Sequence, residues 1–522
     1  MNAWYSAMTV DISRLPTLAG VLHGIAQNRP DAPALVCADV RLTYAELAER
    51  TGQLAAVFES MGVGPGDRVV WLGQNCHLLF EALLAASQLG ALLAPLNWRQ
   101  STQELEFLLA DLAPKVVLWQ PLDGVDVDFL METTPADTHW VLAHDTERYK
   151  AQLEMPLDPP NGVAEDAHAP ALILYTGAFT GRPSGAMLTS SNLLTQGMHL
   201  GHLMQIDRSF VYLNSGPLCH IATMMVAIAT LEYGGLNVVI PRADPDLICR
   251  AIETEHCTSA FLLPQVAEQV AARAGETGAD LSSFRSPLDL PGWSELVQRD
   301  ATPWGQSPNG YGQTELSGNV AHGALLGEGP LPLGMGLAAP LMQLAMRSED
   351  GISGAPGSVG EILIRGPLVH AGYWNRVEVN RERFRDGWWH TGDLGRIGAD
   401  GRLIFIGPMA RLIKSGLENI YPVEVEAAIR DLDAVAEVGV IGVPDEKWGQ
   451  SVRAVVVRTP GSAVAEHDVI AHVASKIASY KKPRSVIFVD GPLPRSGGSV
   501  DYDQLDRNHG GGGYPGSIGT RN

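Results

Sequence analysis

The first half of the chain alternates short apolar runs with longer amphipathic ones. Residues 40–56, "VRLTYAELAERTGQLAA", space their apolar positions by three and four behind a cap-like Thr43, which predicts a helix. "GVGPGDRVVWLG" then reads as a turn feeding a strand, "HLLFEALLAASQLGA" as a helix, and "LLAPLN" and "PKVVLWQ" as buried strands. Strands recur at "APALIL", "LNVVI" and "SAFLLP", with "IATMMVAIATLEYGG" a core helix between them. The alternation predicts parallel sheets covered by helices, an α/β architecture.

After about residue 330 the texture changes to short strands and turns, "GEILIRGP" and "GWWHTGDLGRIGADGRLIFIG", the pattern of a β-rich subdomain. From residue 419 onward "YPVEVEAAIRDL", "VAEVGVIGVP", "SVRAVVV" and "DVIAHVASKIASY" give helix, strand, strand, helix. They predict a small, mobile α+β C-terminal domain of roughly 100 residues. The expected division is therefore a large N-terminal domain at 1–406, a C-terminal domain at 407–506 after a hinge, and a disordered tail at 507–522. The tail, "NHGGGGYPGSIGTRN" from Asn508, has little to bury.

Hydrophobic residues make up 45% and charged residues 18%, the mix of a compact globule of more than one core. A net charge of −21 argues against nucleic acid or an anionic membrane as partner. The cysteines at 37, 76, 219, 249 and 257 form no paired spacing, which suits a reducing cytoplasm. Cys219 adjoins His220, but no nearby side chain completes a metal-ligand pattern. "MNAWYSAMTVDISRLP" lacks the features of a signal peptide, and the longest apolar region is interrupted by Glu81, Gln88 and a proline, so no membrane span is expected.

The segment "LYTGAFTGRPSGAML", Leu174 to Leu188, follows an apolar run and leads into "LTSSNLL", which reads as a helix start. Strand, glycine-rich turn and helix would aim backbone N–H groups at an anion. Yet Arg182 is the loop's one cation.

Five segments in order, "NGYGQTE" (309–315), "GEILIRGP" (360–367), "GWWHTGDLG" (387–395), "KSGLENIYPVEVE" (414–426) and "GVPDEKWGQ" (442–450), resemble the adenylate-forming acyl-CoA synthetases. The likeness runs from about residue 18 to 506. It implies two half-reactions in one cleft. A carboxylate attacks ATP to give acyl-AMP, then the small domain rotates and the thiol of CoA displaces AMP.

The resemblance implies that Tyr311 stacks on adenine beside Gly312, Thr314 bonds the α-phosphate and Asp393 accepts both ribose hydroxyls. It places His220 between the acyl and CoA tunnels, and makes Glu315 a candidate Mg ligand. His220 and Thr314 are the expected catalytic residues. The helix carrying Met224, Met225, Val226 and Ile228 should wall an acyl pocket suited to a bulky apolar acid, fatty, aryl or terpenoid.

The departures are concentrated. The family's phosphate loop, typically YTSGTTGxPKG, survives at Thr176, Thr180 and Gly181, but its lysine is Ser184, and Gly177, Ala178 and Phe179 replace three further positions. Charge-assisted bonds to phosphate contribute roughly 1.5–3 kcal/mol each. In "LPRSGGSVDYDQL" Ser499 stands where the family has its catalytic lysine, and no lysine follows Lys482. The segment "FRSPLDLPGWSEL" is shorter than the family's adenine-contacting turn. At the hinge Gly407 and Pro408 replace the usual residues, and Leu417 follows Gly416 where pantetheine threads; Lys414 is as in the family.

Groups that handle ATP are thus missing, and groups that hold an adenylate remain. The expected function is thioester formation from preformed acyl-AMP and CoA, with Mg of doubtful use and a separate enzyme making the adenylate. A complete ATP-dependent synthetase and a non-catalytic acyl-AMP or acyl-CoA binder are the alternatives.

Overall fold

The computed structural model describes residues 16–143, 151, 157, 160, 164, 166–176, 183–327, 335–409, 411–416, 418–496 and 499–510, with backbone only at Ser496 and Ser499. Two large sheets, the helices packed on them and a short pairing of Arg285–Ser286 with Gln298–Arg299 account for the strands described before residue 300. One orders His139–Leu142, Val116–Trp119, Arg68–Leu72, Leu92–Leu96, Pro170–Thr176 and Ser184–Thr189. All its pairings are parallel except the last. The other orders Ser259–Ala260, Val211–Asn214, Leu236–Val239, Pro33–Cys37 and Val40–Thr43, again parallel but for the final pair. Their strands read as unbroken apolar runs because helices cover both faces. A single apolar cluster joins the sheets, with Leu35 and Val239 from one, Leu93 and Leu172 from the other, and Leu83, Leu200 and Ala227 from the helices between.

Local signals set the helix starts. Thr43 accepts from Glu46 N while Glu46 accepts from Thr43 N, a capping box that opens Tyr44–Ser60 as the sequence predicts. Ser101 and Glu104 do the same for Thr102–Leu112.

A nine-stranded antiparallel sheet follows, ordered Gly310–Gln313, Gly318–His322, Met335–Ala338, Leu403–Pro408, Trp388–Ile397, Val359–Arg365, Gln343–Ser348 and Gly351–Ser353, with Phe384–Arg385 added beside Trp388–Ile397. The next strand, Ile413–Ser415, belongs to a separate sheet with Glu418–Ile420, Gly449–Arg458, Val435–Asp445 and Ser485–Val489. The change of sheet falls between Pro408 and Ile413. Helices Pro422–Arg430 and Glu466–Lys476 close this sheet's core through Val425, Ile429, Val469 and Val473.

Two expectations are corrected. The glycine-rich loop does not run straight into a helix. Ser184–Thr189 first pairs antiparallel with Pro170–Thr176, Thr176 opposite Ser184. The helix Ser190–Met204 starts only afterwards, its first turn capped by Thr189 and Asn192. Nor is the tail irregular from 507. Tyr502–His509 is helical, because Asp501 caps it, Leu505 is buried and Arg411 pairs with Asp503 and Asp506. Residues 511–522 lie outside the described residues.

Candidate active site

A cleft of about 380 Å³ opens where three bodies meet. Leu96 and Thr176 come from the carboxyl ends of parallel strands, Gly310–Gln313 from the edge of the nine-stranded sheet, and Lys414, Glu418 and Lys481 from the C-terminal unit. Cleft residues at the carboxyl ends of parallel strands follow from the connectivity, because the loops that leave those ends are the ones free to vary.

Gly310–Gln313 can pass so close to its neighbour only as glycine. A Cβ on Gly312 would sit 2.1 Å from the Gly318 carbonyl oxygen. The close approach brings Tyr311, Gly312, Thr314 and Glu315 to the cleft, as expected. Tyr311 is 4% exposed; its ring centroid lies 5.6 Å from that of Phe405, and its hydroxyl donates to Asp393 Oδ2 at 2.8 Å. Gln313 Nε2 donates to the same oxygen at 2.7 Å and to Thr391 O at 3.1 Å. Both bonds fall on Oδ2, and no bond to Oδ1 is among those described. Burial pushes the Asp393 carboxyl up to about 6, against the Tyr311 and Gln313 bonds that favour its charged form.

Glu315 is buried, and its Oε1 accepts the Tyr373 hydroxyl at 2.7 Å. Among the described residues no group of three His, Cys, Asp or Glu could hold a metal.

His220 caps the helix Ile221–Glu232 without a side-chain cap bond and faces the cleft, its Nε2 3.5 Å from Glu418 Oε1. Glu418 also pairs with Arg99. Burial pushes the Glu418 carboxyl up, but His220, Arg99 and Lys481 outweigh it and hold the carboxyl below the usual range. Behind His220 the helix runs into the core. Met224, Met225, Val226 and Ile228 are all buried in the inter-sheet core, and none lines the cleft. Met225 Sδ instead accepts from Gln196 Nε2 at 3.7 Å.

At the phosphate loop, Thr176 lines the cleft with Oγ1 3.4 Å from Ser184 O; Thr180 and Gly181 lie outside the described residues. "FRSPLDLPGWSEL" folds on itself: Trp293 is fully buried, 5.6 Å from the Phe284 ring, and its Nε1 donates to Ser286 Oγ at 2.9 Å. None of this segment reaches the cleft. Gly407 pairs with Leu394 inside its strand. Lys414 lines the cleft, its Nζ 5.7 Å above the Phe405 ring. Gly416 holds φ +63° with Trp448 3.1 Å from where a Cβ would stand; Leu417 lies outside the described residues. Ser499 sits on a two-residue strand, Ser499–Val500, paired with Arg495–Ser496.

Sequence reasoning missed Gln313, Arg99, Glu418, Glu424 and Lys481. Gln313, Glu418 and Glu424 stand inside segments singled out for other residues; Arg99 and Lys481 carry no local signal, since Glu418 lies 319 positions from Arg99, and Glu424 and Glu104 lie 57 and 377 from Lys481.

Residues 22–374 match the family model described as AMP-binding enzyme, and 424–497 the model of the AMP-binding enzyme C-terminal domain. A feruloyl-CoA synthase of Amycolatopsis is 35% identical over 90% of this chain and 94% of its own length. An indoleacetate–CoA ligase of Aromatoleum aromaticum is 34% identical over 89% and 92%. A solved structure of o-succinylbenzoate CoA synthetase from Bacillus subtilis, a double mutant bound with a product analogue, shares the fold at a TM-score of 0.77 and 24% identity, covering 95% of this chain and 99% of that one. With both family models placed in order along it, and full-length relatives named as CoA synthases and ligases, the chain belongs to the AMP-binding enzyme family.

Proposed function

We propose that the protein forms acyl-CoA from an acyl adenylate supplied to it and CoA, and does not itself adenylate the acid. The observation that carries this reading is the charge of the cleft. Among its described lining residues, Lys414 and Lys481 stand against Glu315, Asp393, Glu418 and Glu424. Lys481 is moreover already bonded to two carboxylates, Glu104 and Glu424. A triphosphate entering here would meet more like charge than opposite charge, whereas AMP carries far less to neutralise. The serines at 184 and 499 remove the two lysines the family would supply.

Thioester formation asks for other groups. The CoA sulfur bonds to the acyl carbon, the bond from that carbon to the AMP oxygen breaks, and AMP leaves with the electron pair. The thiol proton needs an acceptor, and His220 at the cleft, with Glu418 beside it, is suited to that role. Asp393, Gln313 and Tyr311 would hold the nucleoside, and Thr314 the phosphate. Gly407 and Pro408 would be the joint on which the C-terminal unit, 407–506, is carried. The aryl acids named for the relatives favour an aryl acyl group within the bulky apolar class.

Synthetic acyl-AMP with CoA should yield thioester, while acid, ATP and CoA should not, and acid-dependent pyrophosphate exchange should be absent. Robust exchange would favour the second reading, a complete ATP-dependent synthetase, which full-length likeness to named CoA ligases supports.

A further inference from the structure

The C-terminal unit is tied over the cleft by charge as well as by shape. Lys481 follows the helix Glu466–Lys476 and is 5% exposed. Its Nζ lies 2.6 Å from Glu104 Oε1 and 2.6 Å from Glu424 Oε1. Glu424 is on the first turn of Pro422–Arg430, in the same unit as Lys481; Glu104 is on Thr102–Leu112, in the other. Glu104 is itself fixed, since its Oε2 accepts from Ser101 N at 2.9 Å in the capping box. Around this bridge Ser101 Oγ lies 3.0 Å from Lys476 O, and the Arg99 guanidinium sits 5.5 Å over the Tyr480 ring while pairing with Glu418. The contacts that Arg99, Ser101 and Glu104 make to Glu418, Lys476, Tyr480 and Lys481 all cross between the units.

We infer that Lys481 is a positioning residue for the thioester-forming step, its bridge from Glu424 to Glu104 holding the C-terminal unit where Glu418 meets His220. The inference rests on the proposed function for the reaction it serves, but the bridge stands on its own geometry. Burial disfavours the Lys481 ammonium, yet Tyr480 and the two carboxylates keep it charged. Without it, Glu104 and Glu424 would face each other across the seam with no cation between them, and that repulsion drives the units apart. Departure of the unit breaks the bond to Glu104 but keeps the one to Glu424, so the seam and not the unit's own fold depends on Lys481–Glu104. A chain that completes one half-reaction can keep such a bridge throughout its cycle.

Hydrogen exchange of the full chain tests the bridge without reference to activity. In Lys481→Met, exchange should rise in the facing segments around 97–104 and 476–482, and stay at the native level in the strands Val435–Asp445 and Gly449–Arg458. With acyl-AMP and CoA, kcat should fall by about tenfold or more, as expected for truncating one partner of a buried ionic group. The KM for acyl-AMP should hold within about twofold, because the nucleoside groups lie outside the bridge. Lys481→Arg should recover much of the rate. If Lys481→Met does not fold, Glu104→Gln, which leaves the C-terminal unit's own pair intact, should show the same exchange pattern. Native exchange at the seam in Lys481→Met or, failing that variant, in Glu104→Gln overturns the inference, as does a wild-type kcat. A wild-type protein that makes no thioester from acyl-AMP would sink the proposed function instead, and the exchange comparison would still decide the bridge.

Discussion

Replacing Asp393 by asparagine tests the candidate site through stability and activity at once, with opposite signs. Burial raises the Asp393 carboxyl from 3.8 to about 6 despite the hydrogen bonds from Tyr311 and Gln313. A carboxyl whose folded value is raised binds its proton more tightly in the native state. Its favourable contribution is therefore complete below the unfolded value, near pH 4, and is lost as pH rises through about 6. A rise of that size corresponds to roughly 3 kcal/mol of native-state cost at neutral pH. Asparagine has no charge to desolvate, and its oxygen can accept the same two bonds. Asp393→Asn should thus be more stable than the native protein at pH 7–8, by up to roughly 3 kcal/mol, with the gain vanishing near pH 4. Urea unfolding followed by tryptophan fluorescence at several pH values reads this directly. Activity should move the other way. A ribose hydroxyl donates best to the ionised carboxylate, so the native KM for acyl-AMP should climb as pH falls below about 6, and Asp393→Asn should lack that inflection. A stability difference that does not change with pH would refute the burial argument. An unchanged KM in the variant would remove the nucleotide from this site.

Restoring both lysines, Ser184→Lys with Ser499→Lys, should recover some pyrophosphate exchange, with either change alone giving little, because both act on one transition state. Acyl-AMP turnover should be nearly unaffected by the pair. Gly416→Ala should cost about 1–2 kcal/mol in urea unfolding, since the backbone there is left-handed and Trp448 crowds the new methyl group. Tyr373→Phe strips a buried partner from Glu315 and should cost about 1–3 kcal/mol in urea unfolding, and a loss restored by added Mg would mark Glu315 as its ligand.

The architecture was legible because periodicity, caps and turns are local. Thr43 could be read as a cap from its neighbours alone, and the apolar runs at Arg68–Leu72 and Leu92–Leu96 had the length and composition of strands buried on both faces. The glycine-rich loop misled for a similarly local reason. Its flanks look like strand and helix, and the six residues Ser184–Thr189 become a strand only through pairing with Pro170–Thr176. Tyr311, Thr314, Glu315 and Asp393 were found through short motifs, and they do share a cleft. Their partners were not foreseen. Tyr311 to Asp393 spans 82 positions, Glu315 to Tyr373 spans 58, and Lys481 to Glu104 spans 377, so no window of sequence contains both members. The helix Ile221–Glu232 was legible as a core helix from its apolar run, and its methionines are buried between the two sheets.

The strand Trp388–Ile397 lies beside Leu403–Pro408 in a register that sets Asp393 opposite Pro408, and Met409 N donates to Gly392 O at 2.8 Å. The residue that would grip the nucleoside is thus one backbone pairing from the last strand residue before the second unit begins. A lever held next to its fulcrum passes any load straight to the fulcrum, and if the second unit turns at Pro408, the proposed nucleoside grip and that turn share a rung of the same ladder. On the proposed function, a nucleoside held at Asp393 would load the strand residue from which the second unit departs, and loss of AMP would be the event nearest to movement of that unit.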